Sequence, residues 1–242
     1  MPDEEGWLFK QDGKCGGMGV SRGHTHSSSK KNGYWQREIN GQSVSALCIS
    51  DERDVHVIGV NELYSHSDLN GYPYVYEGAL ANLECGNDLL VKIDTYLKSL
   101  IPYFKILGLF SIDMILHEDE LFVLEINPRI SASYELYEQL NPGLNLVDAH
   151  IRVCEGERLS GLQIEGLSRQ HNGYLIVYAE HDCVIPREMC WPHWVKDKPE
   201  SLREIATGEP ICSVYFNSDT SSGSVREKLE LRRNEVLSLL KQ

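Results

Sequence analysis

The sequence lacks any apolar run approaching the roughly 18 to 20 residues of a membrane span. Stretches such as Leu175 to Ala179 are far shorter, and residues 1–20 contain no apolar signal-peptide core. A cytoplasmic location with no membrane partner is therefore expected. The seven cysteines (15, 48, 85, 154, 183, 190 and 212) are odd in number, scattered, and include no CxxC pair. That pattern argues against a disulfide framework and a zinc knuckle and leaves reduced thiols. Positive charge is scarce too, with 23 Lys and Arg against 36 Asp and Glu and a formal charge of −13. Nucleic acid is not expected as a partner for so acidic a chain. There is no GxxxxGK[ST], so Gly16 to Val20 is not a Walker loop, and no HRD or DFG set of a protein kinase. Internal repeats are absent.

The 242 residues suffice for one large domain or two small ones with a buried core. The stretch to about Gly33 is rich in Gly, Ser, His and Lys and is expected to be half-ordered, apart from a short strand at Trp7 to Lys10. Strands are expected at Tyr34 to Glu38, Val44 to Ile49 and Val55 to Val60, joined by turns at Asn40-Gly41 and Asp51 to Asp54 into a meander. Leu89 to Phe104 carries apolar residues at 89, 90, 93, 97, 100, 101 and 104, the spacing of an amphipathic helix. Further strands are expected at 109–116, 121–126, 174–179 and 211–216, with helices at 132–140 and 145–155. Residues 185–210 read as irregular. Ser224 and Glu227 form a capping box for a last helix that docks through Val225, Leu229, Val236 and Leu240. His24 and His26, in a Ser-rich loop without a third ligand, read as solvated rather than metal-binding. Trp191, Pro192 and Trp194 read as a packing cluster.

The most informative stretch is Leu109 to Arg129, which reads as a hairpin with Glu118, Asp119 and Glu120 as its loop. Opposed residues share a face. Phe110, Ile112, Met114, Leu116, Phe122, Leu124 and Ile126 then form an apolar face, while Asp113, Glu125 and Asn127 gather on the other. A slip by one residue would push a carboxylate among the apolar side chains, so burial sets the register. Two opposed carboxylates repel, and no Lys or Arg stands across from either. The residues allow two readings: a solvated acidic face, or a divalent-cation site of hard oxygen ligands completed by phosphates and water.

Trp-Leu-Phe-Lys (7 to 10), Gly-Gly-Met-Gly-Val (16 to 20), Tyr-Trp-Gln-Arg-Glu-Ile-Asn-Gly (34 to 41), Gly-Leu-Phe-Ser-Ile-Asp (108 to 113) and Leu-Glu-Ile-Asn-Pro-Arg (124 to 129), in that order, resemble the ATP-grasp superfamily. Within it, they resemble ATP-dependent carboligases related to biotin carboxylase. The resemblance implies an α+β fold: an ATP-grasp core with a mostly antiparallel sheet and flanking helices, a short glycine-rich lid and a small C-terminal α/β appendage. Its implied bounds are 1–35 for the lid, 36–160 for the catalytic core and 161–242 for the appendage. It implies ATP and magnesium, with manganese as an alternative, as cofactors. Lys10 resembles the lid lysine that meets the phosphates, and Gly13, Gly16, Gly17 and Gly19 resemble the flexible cover over them; without the resemblance, Lys10 reads equally as a solvated lysine on an edge strand. Gln36, Arg37, Glu38 and Ile39 resemble the linker that reads adenine, with Glu38 either on the ribose hydroxyls or simply exposed. Asp113, Glu125 and Asn127 resemble the metal ligands, and Arg129 the cation facing the transferred phosphoryl group.

The implied activity is an ATP-dependent carboxylate-amine or related C–N ligase that works through an acyl phosphate, its partners being ATP, a small carboxylate and an amine acceptor. The chain departs from the family pattern by starting at the lid, where an N-terminal domain and a small linking domain are usual. The alternative is an ATP-binding module, non-catalytic or partner-dependent, that lacks the N-terminal substrate domain; a truncation, a separate N-terminal domain or a partner chain would each account for the departure, and a homo-oligomer is a further expected association.

Overall fold

The computed structural model describes residues 6–22, 32–66, 69, 71–83, 87–162, 164, 167, 168, 170–218 and 222–240. His24, His26, Cys85 and, of the stretch expected to be half-ordered, residues 1–5 and 23–31 lie outside the described residues.

Alternation dictates the main sheet. In β4 (Gln42–Ser50), Val44, Ala46 and Cys48 face one way and Ser45, Leu47 and Ile49 the other, and all are buried. Such a strand must have cover on both faces and neighbours on both edges. It lies between β5 (Val55–His66) and β7 (Gly108–His117), in an antiparallel sheet of eight strands. β7 pairs outward with β8 (Glu120–Asn127), and β5 pairs on its other side with β6 (Val75–Ala81). The sheet continues through β9 (His171–Tyr178), β13 (Pro210–Ser218) and the two-residue edge strand β11 (Val195–Lys196). A ribbon of β10 (Cys183–Val184) and β12 (Glu204–Ile205) stands apart. The C-terminal α/β part is thus joined to the core by the pairing of β9 with β6.

Helix α1 (Asn87–Phe104) lays Leu89, Ile93, Leu97 and Ile101 on the face of Val44, Ala46, Phe110, Ile112 and Met114. The spacing of those four residues is the stripe expected from sequence. On the opposite face, α2 (Tyr134–Leu140) and α3 (Leu146–Cys154) bury Leu136, Tyr137, Leu146 and Val153 against Leu47, Ile49 and Leu109. Helix α4 (Ser222–Leu239) docks through Val225, Leu229 and Val236 on Leu80, Leu175 and Val214. Trp191 and Trp194 pack at the margin of that cluster.

Four local expectations need correction. The strand at Tyr34, β3 (Gly33–Arg37), leaves the meander and joins β1 (Trp7–Gln11) and β2 (Val20–Arg22) in a separate sheet of order β2-β1-β3. Phe9 and Trp35 pack edge to face there, 5.3 Å apart, so Asn40-Gly41 connects two sheets instead of closing a hairpin. β6 has no counterpart among the expected strands. In the β7–β8 hairpin His117 pairs with Glu120, so the loop has two residues, and a bulge at Leu124 restores the expected pairing of Asp113 with Glu125. Leu121, not Phe122, therefore joins the α1-side core. Finally, α4 begins at Ser222, which puts Ser224 inside the helix rather than at its cap.

Candidate active site

The β7–β8 pairing sets Ser111 opposite Asn127 and Asp113 opposite Glu125, and β4 sets Ser45 opposite Asp113 on its other side. Geometry follows from the pleat: these side chains share one face. Asp113 Oδ1 accepts a hydrogen bond from Ser45 Oγ at 2.7 Å and Oδ2 accepts one from Asn127 Nδ2 at 3.0 Å. The same amide nitrogen reaches Glu125 Oε1 at 3.2 Å. One amide NH₂ thus spans two carboxylates. Burial pushes the Asp113 carboxyl above its ordinary range; Ser45 opposes this and the nearby Glu125 reinforces it. Arg129, exposed just past the end of β8, donates Nη1 to its neighbour Ile130 at 3.3 Å, and its charge reaches Asp113.

Asn61, on the other side of Ser45, is fully buried. Its Oδ1 accepts from Tyr137 Oη at 2.7 Å, while its Nδ2 has no hydrogen-bond partner among the described residues. Gly59 makes room for that tyrosine, since a Cβ there would sit 2.3 Å from Tyr137 Oη.

The glycine loop between β1 and β2 rests on the start of β6. Tyr76 N–H donates to Gly16 O at 2.9 Å, and a Cβ on Gly17 would lie 1.7 Å from Tyr74 O, so only glycine permits this approach. Gly17 and Gly19 also hold φ of +81° and +88°, and Gly13 and Gly16 hold +72° and +62°. Lys10 lies on β1 opposite Val20 and Tyr34, in an element separate from the carboxylate hairpin. Gln36 and Arg37 end β3, and Glu38 and Ile39 form the connector to β4.

Glu38 is not an idle surface carboxylate. Arg22 donates to its Oε1 through Nε at 3.1 Å and Nη2 at 2.9 Å, and Tyr74 Oη donates to the same oxygen. Burial alone would push its pKa up, but the bonds from Tyr74 and Arg22 prevail and hold the carboxyl below its usual range. Sequence reading missed Arg22, Ser45, Asn61, Tyr74 and Tyr76. Ser45 and Asn61 become visible only once β4, β5 and β7 are known to be neighbours. The run Tyr72-Pro73-Tyr74-Val75-Tyr76 was the one local signal that this segment is more than a loop.

Among the described residues no cluster of three His, Cys, Asp or Glu side chains stands ready for a metal, and no helix is long and apolar enough to cross a membrane. A family profile described as ATP-grasp domain matches residues 2–133, more than half of the chain. The chain belongs to the ATP-grasp family. Over 124 residues it is 29% identical to the carbamoyl phosphate synthase large chain of Clostridium botulinum, a match covering 51% of this chain and 11% of that one. The chain therefore spans only a small part of the length of the curated relatives it matches. Among solved structures it resembles phosphoribosylglycinamide synthetase from Anaerococcus prevotii, with a TM-score of 0.66, 16% identity, and 94% of this chain against 62% of that one. Biotin carboxylase from Campylobacter jejuni, solved as a β,γ-ATP complex, gives a TM-score of 0.69 at 11% identity, covering 98% of this chain and 61% of that one. These likenesses agree with the α+β ATP-grasp fold and its mostly antiparallel sheet.

Proposed function

We propose that this ATP-grasp chain is a magnesium- and ATP-dependent ligase that joins a carboxylate to an amine or a related nitrogen nucleophile through an acyl phosphate. The observation that carries the reading is the Asp113–Asn127–Glu125 network, in which two carboxylates with no basic side chain between them are held together by an amide. A face built this way has room for positive charge. The residues present fit a hard divalent cation: two carboxylates supply oxygen, and rotation of the Asn127 amide would add a third oxygen from the same network. Magnesium, or manganese in its place, would lower the charge of the ATP phosphates and of the phosphoryl group in transfer. Arg129 contributes the nearby fixed cation, Lys10 and the Gly13 to Gly19 loop face the phosphates from the lid, and Gln36 to Ile39 read the adenine with backbone groups. No nucleophilic Ser or Cys is needed, because the work is positioning and electrostatics. The lid is assigned to 1–35, the catalytic core to 36–160 and the C-terminal α/β part to 161–242.

The decisive measurement is the rise in melting temperature that magnesium-ATP produces in the wild type and in Glu125→Gln. Binding to the folded state raises stability by mass action, and the variant is expected to lose most of that rise. An equal rise in both proteins would remove Glu125 from the site. A second reading, a nucleotide-binding module whose chemistry needs a further domain or chain, is favoured by the limited share of its relatives that the chain spans. It predicts the same thermal response with no phosphate release from any pair of acid and amine.

A further inference from the structure

Among the described residues, the glycine loop and Arg22 of the small sheet meet the main sheet at a short segment, Tyr74 to Tyr76. On its backbone it carries the glycine loop, through Tyr76 N–H to Gly16 O at 2.9 Å and the close approach of Gly17 to Tyr74 O. Through its side chain it reaches the connector, because the Tyr74 hydroxyl donates to Glu38 Oε1. Arg22, at the end of β2, closes the arrangement from the lid. Its guanidinium donates twice to the same Oε1, donates to Tyr74 Oη at 3.0 Å, and lies 5.6 Å from the centre of the Tyr74 ring.

The three bonds that reach Glu38 all end on the same oxygen, Oε1. Oε2 carries no hydrogen bond among the described residues, although the carboxylate is fixed in direction by three donors on its other atom. A carboxylate so held offers a single acceptor at a set angle. That suits a pair of adjacent hydroxyl groups, which a freely rotating glutamate would meet only at a cost in side-chain entropy.

We propose that Arg22 and Tyr74 are positioning residues that clamp Glu38 Oε1 so that Oε2 reads the ribose hydroxyls of the nucleotide, which ties ribose recognition to docking of the lid on β6. The inference rests on the nucleotide-binding reading given above and adds to it two residues and a dependence. Arg22 belongs to the lid, Tyr74 to the core and Glu38 to the connector between them, so the clamp is complete only while the glycine loop sits on Tyr74 and Tyr76. Ribose selectivity then reports lid docking.

The test compares magnesium-ADP with magnesium-2′,3′-dideoxy-ADP by calorimetry on the full chain. The wild type is expected to prefer the ribonucleotide by about tenfold, the worth of roughly one hydrogen bond to a charged group. Tyr74→Phe keeps the ring under Arg22 and removes only the hydroxyl. It is expected to bring the preference to within about twofold while dideoxy-ADP binds as before. Arg22→Gln should act in the same direction and serves if the tyrosine variant melts early. A preference that survives both substitutions overturns the clamp. Equal weakening of both nucleotides also overturns it, since that is what a merely structural contact would do. A wild type that binds both nucleotides alike removes Glu38 from the ribose while leaving nucleotide binding in place. A wild type that binds neither ends the parent reading itself.

Discussion

Asp113 sits where the fold favours its protonated form. Its carboxyl is raised by burial and by the facing Glu125, so the folded chain holds this proton to a higher pH than the unfolded chain does. Stability falls with rising pH wherever the native state binds more protons. The contribution of Asp113 is therefore most favourable below the unfolded value of about 4 and is lost as pH rises through the folded value. Glu38 and Asp51 are held low and act with the opposite sign, losing their contribution as the solution is acidified. The difference between wild type and Asp113→Asn cancels those two. In chelator, the variant is expected to melt higher than wild type at neutral pH, with the gap closing as pH falls toward 4, and to show no response to magnesium. Thermal melts across pH with and without the ion check both parts. The pairing of Asp113 with Glu125 was legible in sequence because a carboxylate among apolar side chains is costly, but the bulge at Leu124 that reconciles this pair with a two-residue turn was not. Ser45 was not, since nothing in its neighbourhood announces that β4 will lie beside β7.

Elements show where local pattern suffices and where it does not. The α1 stripe could be read directly, because its periodicity depends on no other part of the chain. Leu97, fully buried under that helix, should cost about 2–5 kcal/mol when changed to Ala, read as a lower urea midpoint with unchanged slope. β6 escaped the reading because its sequence, Val-Tyr-Glu-Gly-Ala-Leu-Ala, has little strand character of its own. Its place is secured by neighbours: a Cβ on Gly78 would meet Tyr174 O of β9 at 2.1 Å. β3 was correctly read as a strand and assigned to the wrong sheet, since pairing with β1 rather than β4 is decided by aromatic contacts such as Phe9 with Trp35. The glycine loop yields a separable prediction. Gly17→Ala, with a Cβ 1.7 Å from a backbone oxygen and φ at +81°, should dislodge the loop from β6. Faster trypsin cleavage at Lys14, with the midpoint of global unfolding little changed, is the expected result.

At the scale of the whole molecule, charge and topology matter more than any single contact. A chain with a formal charge of −13 repels a free nucleoside triphosphate, and the two facing carboxylates of Asp113 and Glu125 add to this locally. ATP without a divalent ion is expected to leave the melting temperature unchanged, and magnesium-ATP to raise it, in the same buffer at matched ionic strength. The C-terminal α/β part is a neighbour in the sheet as well as in sequence. Ending the chain at residue 160 would strip β6 of β9 and leave an unpaired strand beside an apolar face. Such a fragment should aggregate, as light scattering would show, whereas the full chain remains dispersed.

The pairing of β6 with β9 also sets a timetable. β4, β5 and β6 follow one another closely and β7 with β8 is a local hairpin, but Gly78 meets Leu175 across about a hundred intervening residues, a span whose closure entropy must be met before contact rewards it. During synthesis the meander emerges first and waits for β9 to leave the ribosome. The expected refolding trace has a fast phase in which the meander and hairpin acquire structure and a slower one that seats β9, β13 and α4, bringing Trp191 and Trp194 into their packed environment. The fluorescence of Trp191 and Trp194, read in a variant with Trp7 and Trp35 changed to Phe, should therefore lag behind backbone ellipticity. The interval between them measures how long the growing chain depends on protection from its neighbours.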